Sequence, residues 1–472
     1  MISPPKRYVI FLLSFLIAGC LSEGAPSKYK APLGDAGEVS VYLQPLPQGS
    51  EKLRFSLAQI SALREDGQEF PLSLAVNELK GADLTGIQKN LAAGILPPGS
   101  YTGLSVQVAK AFVQTQDGEI ALLVPEQPLA VDHGFDVRRK SAAALFLSLK
   151  ASKFITAEVR FTPVFSLASP GRGLINLTGF VSNSASNTLT VFDKKAMRVV
   201  DAIATGQGPQ GIALDQTRAR AYVAAARDDT IEVIDVFKRE IINRLRLNFM
   251  DRPVELALSP DGRTLVSVNQ ASNTVSIIDA VSMTEVQRIR VGDGPASAVV
   301  DPSGLKVYVM NTRSSTISVV DLTQRVLAVT VSVEAPPLRG VFNRKGSALY
   351  VISSESPNLM EIDPARLIVR KKIFIGMGAV SLAVDHPSGQ IYVGKKIGGE
   401  IAVIDPFSSM FIDTLQVDGT AVSLTIDGEE RSLLAVLADR RKLQKINLIS
   451  KKRVAELEVS AGAFSVAVMG ER

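Results

Sequence analysis

Tryptophan is absent from this chain of 472 residues, histidine occurs twice and cysteine occurs once. Without tryptophan, no indole can stack on an aromatic cofactor. A single cysteine excludes a disulfide within the chain and a C-x-x-C-H segment for covalent haem attachment. Two histidines, His133 and His386, are too few for most metal sites, and they leave little from which to assemble a nucleophile, its base and an orienting group. Catalysis of these kinds is therefore not predicted.

An excess of one charge is also missing. The 52 Lys and Arg residues nearly balance the 47 Asp and Glu residues, which leaves a formal net charge of +5. No basic segment is dense enough to follow a nucleic-acid backbone, so no nucleic-acid partner is expected. Because 46% of the residues are apolar and turn residues recur, the chain is expected to bury substantial cores.

The N-terminus has the pattern of an export signal. Lys6 and Arg7 precede the apolar run Tyr8–Ala18, whose eleven residues are about half of the ~20 needed to cross a bilayer as a helix. The run leads into Leu16-Ile17-Ala18-Gly19-Cys20, which resembles a bacterial lipobox. That motif places small residues before a cysteine whose thiol receives diacylglycerol.

We therefore predict a signal peptide over residues 1–19, lipidation at Cys20 and a tether over residues 20–34. The alternative is an ordinary signal peptide followed by a free thiol. Leu21 stands where an aspartate would favour the inner membrane, so the resemblance implies an outer-membrane lipoprotein. The acyl chains on Cys20 would make the membrane a partner, with the protein facing either the periplasm or the outside.

A repeat of about 42 residues runs through the C-terminal two-thirds of the chain. Its clearest column closes a β-rich segment at intervals of 42, 44, 42, 42, 42 and 42 residues, and it contains Asp193, Asp235, Asp279, Asp321, Asp363, Asp405 and Asn447. Each unit holds four short strand-like segments, A to D. A repeat of this length with four strands is typical of a β-propeller blade.

The two ends of the repeat region complement each other. Gly462–Val468 is a strand A with no strands after it, and Gly179–Ile203 supplies strands B, C and D with no strand A before them. Pairing them completes a seventh blade and removes the exposed edges of an open array. The sequence predicts an all-β protein whose residues 176–472 form a seven-bladed propeller closed by its N- and C-terminal strands.

The columns resemble the YVTN family of β-propeller repeats. The segment Arg252–Asp279 carries the family pattern most fully, with Ser259-Pro260-Asp261-Gly262, Val268-Asn269 and Asn273-Thr274-Val275. Later units depart from the pattern, since Gly399 and Arg441 replace the Asn before strand C. The resemblance implies a propeller fold, while any site that the family places on those loops becomes doubtful.

Residues 35–165 are predicted to form a separate domain. Strand-like runs at Glu38–Leu43, Leu53–Leu63, Leu104–Val108, Ile120–Val124 and Ala144–Leu149 have the spacing of a β-sandwich. Leu84–Leu91 is interpreted as a short helix or a turn. The Pro97-Pro98-Gly99 turn before a strand resembles prealbumin-like sandwiches of bacterial lipoproteins whose function is unknown. Residues 166–175 are predicted to link this domain to the propeller.

Related propellers carry chemistry whose residues are missing here. Quinoprotein dehydrogenases need tryptophan, haem d nitrite reductases need a histidine over the channel, and lactonases use histidine beside acidic groups. We therefore predict no catalytic residue, no metal, no haem and no cofactor. Two alternatives stay open: a lactonase-like envelope enzyme, or an accessory subunit of an oxidoreductase or electron-transfer system, with any cofactor held by carboxylates and carbonyls in the channel.

The leading hypothesis is a non-catalytic binding platform. In propellers the D–A and B–C loops share one face, here called the funnel face. Each unit has a Pro or Ala at the entry to strand A, such as Pro253 and Pro337, and the residue two positions later is expected to lie near the channel mouth. We expect this face to bind a protein or an anionic polymer, and the alternative is a set of solvated loop charges. The candidate residues are Arg227, Glu255, Arg313, Arg339, Lys395, Lys396, Arg440, Arg441 and Lys442.

Overall fold

The computed structural model describes residues 29–150, 155–156, 159–171 and 173–470. The predicted signal peptide and Cys20 lie outside these residues, as does most of the predicted tether. Within the described ranges, no helix is long and apolar enough to cross a membrane. The N-terminal strands are β1 Gly37–Leu43, β2 Leu53–Arg64, β3 Glu69–Leu74, β4 Glu78–Lys80, β5 Lys89–Leu96, β6 Gly99–Thr115, β7 Gly118–Leu122, β8 Leu129–Val137, β9 Ala142–Leu149, β10 Ile155–Thr156, β11 Arg160–Phe161 and β12 Phe165–Ala168.

Strand β3 joins the two halves of the N-terminal sheet. Its first residues pair with β2, and Ser73 and Leu74 pair with β5. The hydrogen-bonded path runs β12-β9-β1-β5-β3-β2-β6-β7, and its apolar faces enclose one core that includes Phe55, Leu104 and Phe161. This strand-rich, folded-over sheet is consistent with the predicted sandwich, although β1 and β9 run parallel.

Two N-terminal predictions need correction. The interval Leu84–Leu91 holds no α-helix: a 3₁₀ turn covers Gly81–Leu84, and strand β5 begins at Lys89. The predicted linker also starts too early, because Ser166, Leu167 and Ala168 pair with β9 as part of β12. In both segments the pairing partner is remote in sequence, so the local pattern did not reveal the strand.

The C-terminal part contains seven four-stranded antiparallel sheets, in agreement with the predicted all-β, seven-bladed propeller. A second 3₁₀ turn, Ile175–Leu177, precedes it. The blades, with their strands in chain order, are blade 1 Thr178–Asn183, Thr188–Asp193, Arg198–Ala204 and Ala463–Val468; blade 2 Pro209–Asp215, Arg220–Ala225, Thr230–Asp235 and Glu240–Arg246; blade 3 Pro253–Leu258, Thr264–Asn269, Thr274–Asp279 and Thr284–Arg290; blade 4 Pro295–Val300, Lys306–Asn311, Thr316–Asp321 and Val326–Ser332; blade 5 Arg339–Phe342, Leu349–Ile352, Asn358–Asp363 and Ile368–Phe374; blade 6 Ala379–Val384, Ile391–Lys395, Glu400–Asp405 and Met410–Gln416; and blade 7 Ala421–Asp427, Ser432–Leu437, Lys442–Asn447 and Arg453–Glu458.

Blade 1 closes the ring. Its strand A, Ala463–Val468, pairs antiparallel with strand B, Thr178–Asn183, nearly 300 residues earlier in the chain. The C-terminal segment is also held by the A–B turn of blade 2, where the Gln216 side chain donates to the Val468 carbonyl at 3.0 Å and accepts from the Gly470 amide at 2.9 Å. Both ends of the propeller are therefore fixed by one sheet.

The acidic column caps the hairpin between strands C and D. In blade 2, Asp235 Oδ1 accepts from the amides of Phe237 and Lys238 at 3.0 and 2.8 Å. The same contacts recur in every blade, including at Asn447, whose uncharged Oδ1 accepts from Ile449 and Ser450. The turn amides and the Ser282 hydroxyl lower the pKa of the Asp279 carboxyl. The Arg366 amide and the Arg370 guanidinium lower the pKa of Asp363, and the Ser408 hydroxyl with the turn amides lowers that of Asp405.

Changing Asp279 to Asn should reduce the acid sensitivity of the propeller. A lowered folded pKa means that the turn contributes stability above the unfolded value of about 3.9 and loses it as the pH falls through the folded pKa. Asn keeps the accepting oxygen, as Asn447 shows, but does not titrate. The melting temperature of the variant, measured from pH 7 to pH 3, should match that of the parent at pH 7 and fall less steeply below pH 4. An equally steep fall in both proteins would show that the Asp279 carboxyl does not cause the acid sensitivity.

A buried lysine braces the closure on the face opposite the funnel. Lys194, in the C–D turn of blade 1, is fully buried, and its Nζ lies 3.1 Å from Asp427 Oδ1 at the end of strand A of blade 7. The ammonium also contacts Glu429 at 3.2 Å and donates to the Met469 carbonyl at 2.8 Å. It therefore links blade 7, blade 1 and the C-terminal strand.

Lys194→Met should destabilise the ring strongly, because the carboxylate of Asp427 would then be buried without a cation. Removing one partner of a buried ion pair costs about 3–5 kcal/mol. The double variant Lys194→Met/Asp427→Leu should recover most of that loss, since apolar replacement of the whole pair is close to neutral. Denaturant unfolding measures both variants, and equal stability of the two would show that the buried charge is not the cause.

The N-terminal domain packs against the outer strands of the two blades beside the closure. Tyr42, Ala144 and Phe146 share an apolar cluster with strand D of blade 1 and with blade 7. The Gln88 side chain donates to the Val199 carbonyl at 3.1 Å and accepts from the Val199 amide at 2.8 Å. Lys89 forms an ion pair with Glu458. The domain therefore covers the seam of the ring.

Candidate functional site

The loops that hold the predicted binding residues all lie on the funnel face. Strand A runs away from this face and strand B returns to it, so the D–A and B–C loops meet at one end of the ring. The nine candidate residues belong to blades 2 to 7. Five of them lie on loops and are exposed: Arg227, Arg313, Lys396, Arg440 and Arg441.

Three basic candidates have local partners. The Arg227 guanidinium lies 4.2 Å from the ring centroid of Tyr29, a residue of the predicted tether. Lys395 Nζ lies 2.7 Å from Glu400 Oε1, and Lys442 Nζ lies 2.6 Å from Glu456 Oε1. Lys442 also lines a cavity between blade 7 and the N-terminal domain. Lys395 and Lys442 are therefore partly neutralised by local carboxylates, whereas Arg440 Nε lies 3.9 Å from Asp439 Oδ2 with both side chains well exposed.

Glu255 and Arg339 are the charged candidates on strand A, and the fold brings them together. They lie two blades apart, and the Arg339 guanidinium forms an ion pair with the Glu255 carboxylate. Only 26% and 14% of the two side chains is exposed, so the pair is half-buried. The alignment of columns predicted that both residues lie near the channel mouth, but it did not predict that they contact each other.

In other blades, small residues occupy the strand A position of Glu255 and Arg339. They leave room for this ion pair or connect neighbouring blades. Gly211 makes room for it, because a Cβ there would lie 2.7 Å from the Cα of Glu255. Ser297 donates its hydroxyl to the Leu338 carbonyl of the next D–A segment at 2.8 Å, and Ser381 donates to Ala421 of blade 7. These hydroxyls connect neighbouring blades, so a structural role accounts for them.

Replacing Glu255 with Gln and Arg339 with Met, singly and together, should reveal energetic coupling across the channel. A half-buried ion pair in contact is expected to couple by about 1–3 kcal/mol. A double-mutant cycle from denaturant unfolding measures this energy. Additive effects would show that the pair contributes nothing beyond its separate side chains.

The exposed bases of blades 6 and 7 form one continuous patch. Thr420, in the loop between these blades, donates its hydroxyl to the Lys396 carbonyl at 3.2 Å and its amide to Asp439 Oδ1 at 3.0 Å. Arg440 Nε donates to the Asp418 carbonyl in the same loop at 2.8 Å. Lys396, Arg440 and Arg441, here called the basic patch, are thus held side by side.

Acidic residues of the funnel face are mainly occupied by loop amides. Asp229 accepts from the amides of Met250 and Arg252 at 2.8 and 2.7 Å, and Asp228 accepts from Gln207 at 2.7 Å. Asp251 is buried, and its carboxylate contacts Arg288 at 2.6 Å. These carboxylates turn into the loops, whereas Asp418 and Asp439 stay about half exposed, so the face displays bases beside a smaller number of free carboxylates.

The asparagines of the repeat motif have structural roles. Asn269 Nδ2 donates to Thr274 and Ser276 at 3.1 and 2.8 Å, which joins strands B and C. Asn273 has a positive φ of 55°, and its Oδ1 accepts from the Gly294 amide at 2.8 Å. The replacements Gly399 and Arg441 also have positive φ but lack this acceptor. The motif therefore shapes the loops, and it does not itself form a site.

The histidines do not meet each other. His133 lies on β8 with Nε2 2.8 Å from Ser169 Oγ, and His386 lies in the A–B turn of blade 6, away from the funnel face. Among the residues that the structure describes, no group of three His, Cys, Asp or Glu side chains is arranged to hold a metal ion.

Comparisons with known proteins agree with the architecture. The model of the YNCE-like β-propeller family matches residues 157–471. No curated protein sequence matches the chain. Similar solved structures include the Kuenenia stuttgartiensis hydrazine synthase, with a TM-score of 0.51 and 16% identity over 61% of this chain and 94% of that one.

Two further structures share the fold. The dihydro-haem d1 dehydrogenase NirN in complex with DHE has a TM-score of 0.51 and 15% identity over 64% of this chain and 77% of that one. A functionally unknown protein from Desulfotomaculum acetoxidans DSM 771 has a TM-score of 0.55 and 13% identity over 62% and 98%. Identities this low establish similarity of fold alone.

Proposed function

The chain belongs to the YNCE-like β-propeller family, and from this premise we propose that it is a lipid-anchored platform of the cell envelope whose funnel face binds an anionic partner. The anchor is the thioether on Cys20, and the outer membrane is the proposed location. The partner is an acidic protein or an anionic polymer, and no catalytic residue, metal or cofactor is assigned.

The observation that carries this proposal is the arrangement of charge on the funnel face. Lys396, Arg440 and Arg441 extend from two adjacent loops that Thr420 joins, and one oxygen of the half-exposed Asp439 carboxylate accepts from the Thr420 amide. A fixed set of outward cations favours encounter with an anionic partner and sets its orientation. The hydrogen bonds of Thr420 to both loops fix the relative positions of these bases, which solvated charges without a partner would not require.

The binding role can be tested with the charge-reversal variant Lys396→Glu/Arg440→Glu/Arg441→Glu. Lys442 stays unchanged, because its ion pair with Glu456 would be broken for a structural reason. Crosslinking in intact cells followed by mass spectrometry should recover a partner with the parent protein and lose it, by tenfold or more, with the variant; loss of two or three interface charges costs on the order of several kcal/mol.

A matched control reverses Arg263, Lys306 and Lys345, three exposed bases on the opposite face, of which Arg263 and Lys345 lie in A–B turns and Lys306 begins strand B of blade 4. This variant has the same change in net charge, so it should still recover the partner. Equal recovery of the partner with both triple variants would contradict a binding site on the funnel face. Equal loss of the partner would show that only the net charge of the protein matters. Thermal unfolding of each variant confirms that the ring is intact.

A further inference from the structure

The one irregular interval of the repeat marks a longer loop on the funnel face. The distance from Asp235 to Asp279 is 44 residues, whereas the other intervals are 42. Between strand D of blade 2, which ends at Arg246, and strand A of blade 3, which begins at Pro253, six residues intervene. The corresponding loop before blade 2 has four, from residue 205 to residue 208. The insertion brings Phe249 and Met250 to the surface.

The inserted loop is rigidly held in a strained conformation. Met250 and Arg252 have positive φ angles of 64° and 52°, although other D–A loops place glycine in this region, as at Gly208 and Gly294. Asp229 accepts from both of their amides. Non-glycine residues persist in the left-handed region only where the surrounding structure fixes them, and here the Asp229 carboxylate does so.

The strained loop exposes its apolar side chains. Phe249 is 84% exposed and Met250 is 63% exposed, with Arg252 beside them. Across the ring, Ile397 is 76% exposed next to Lys396 of the basic patch. Apolar side chains at loop tips flanked by bases are the pattern of a surface that inserts into the headgroup layer of an anionic membrane.

The N-terminal segment reaches the body of the protein at this same face. The Lys30 amide donates to the Ala185 carbonyl in the B–C loop of blade 1 at 2.8 Å, and Asn187 donates to the Lys30 carbonyl at 2.9 Å. Tyr29 lies over Arg227 of the neighbouring B–C loop. Tyr29 and Lys30, the first residues that the structure describes, therefore lie on the funnel face.

Chain length then limits the distance between this face and the anchor. Eight residues separate Tyr29 from Cys20, and the nine Cα–Cα steps between the two span at most about 32 Å in any conformation. The opposite face lies about 20 Å farther away along strands of six or seven residues. Reaching the bilayer with that face would use most of the available length, whereas the funnel face reaches it directly.

We propose that the funnel face lies against the anionic headgroup layer of the membrane that holds Cys20, with Phe249 and Met250 inserted at the lipid interface. This inference goes beyond the proposed function and rests on its lipid anchor, because the anionic surface that meets the funnel face is here the membrane, in place of a separate acidic protein or polymer. Each exposed base near such a surface is worth about a fivefold change in partition coefficient. An acidic protein on the same face is the competing outcome.

The absence of tryptophan makes the test clean, since one introduced indole is the only such fluorophore. Phe249→Trp probes the funnel face, and Phe407→Trp probes the opposite face from a position that is also 84% exposed. Each full-length variant, purified from membranes, is reconstituted into vesicles of phosphatidylethanolamine and phosphatidylglycerol, with and without brominated acyl chains. We expect a blue shift and bromine quenching for Phe249→Trp, and neither for Phe407→Trp.

The outcomes separate this inference from the proposed function. Protein that floats with vesicles but shows no quenching at position 249, or equal quenching at both positions, overturns the membrane-facing orientation while leaving the anchor intact. Protein that fails to float overturns the anchor and the orientation together. If position 249 is unquenched and the basic-patch variant still loses a crosslinked protein, an acidic protein occupies the face.

Discussion

The closure of the ring between Ala463–Val468 and Thr178–Asn183 is the constraint on which the rest of the propeller depends. Each strand A is flanked by neighbouring blades, so an open ring would expose apolar faces and unpaired backbone groups at two edges. Several independent contacts meet at this seam. Lys194 joins blade 7 to the C-terminal segment, Gln216 holds the same segment from blade 2, and the N-terminal domain covers the outer strands.

The two faces of the ring use charge in different ways. On the face opposite the funnel, the acidic column accepts hydrogen bonds from turn amides and neighbouring side chains, and the lowered pKa values at Asp279, Asp363 and Asp405 follow from those contacts. On the funnel face, carboxylates such as Asp229 and Asp251 also fix loops, but the bases beside them remain extended. The same residue type that builds the scaffold thereby sets which charges are displayed.

The repeat was readable from the sequence because each blade buries the same positions. Turn chemistry at the acidic column and apolar strand A segments recur in phase, so the blade number and the closure could be predicted without an alignment. The N-terminal strands were harder to predict. Strand β5 pairs with β1 and strand β12 pairs with β9, neither of them across a short hairpin, and nothing in their local pattern indicates the partner.

The sequence by itself determined the blade count, the paired ends and the columns from which the candidate residues were taken, because these depend on periodic burial and local turn chemistry. Only the tertiary structure decided which charges are free. It paired Glu255 with Arg339, Lys395 with Glu400 and Lys442 with Glu456, and it placed Tyr29 over Arg227. Such pairs depend on where separate loops and blades meet in space, and a sequence column records the position of a side chain along the repeat but not the neighbour that it contacts.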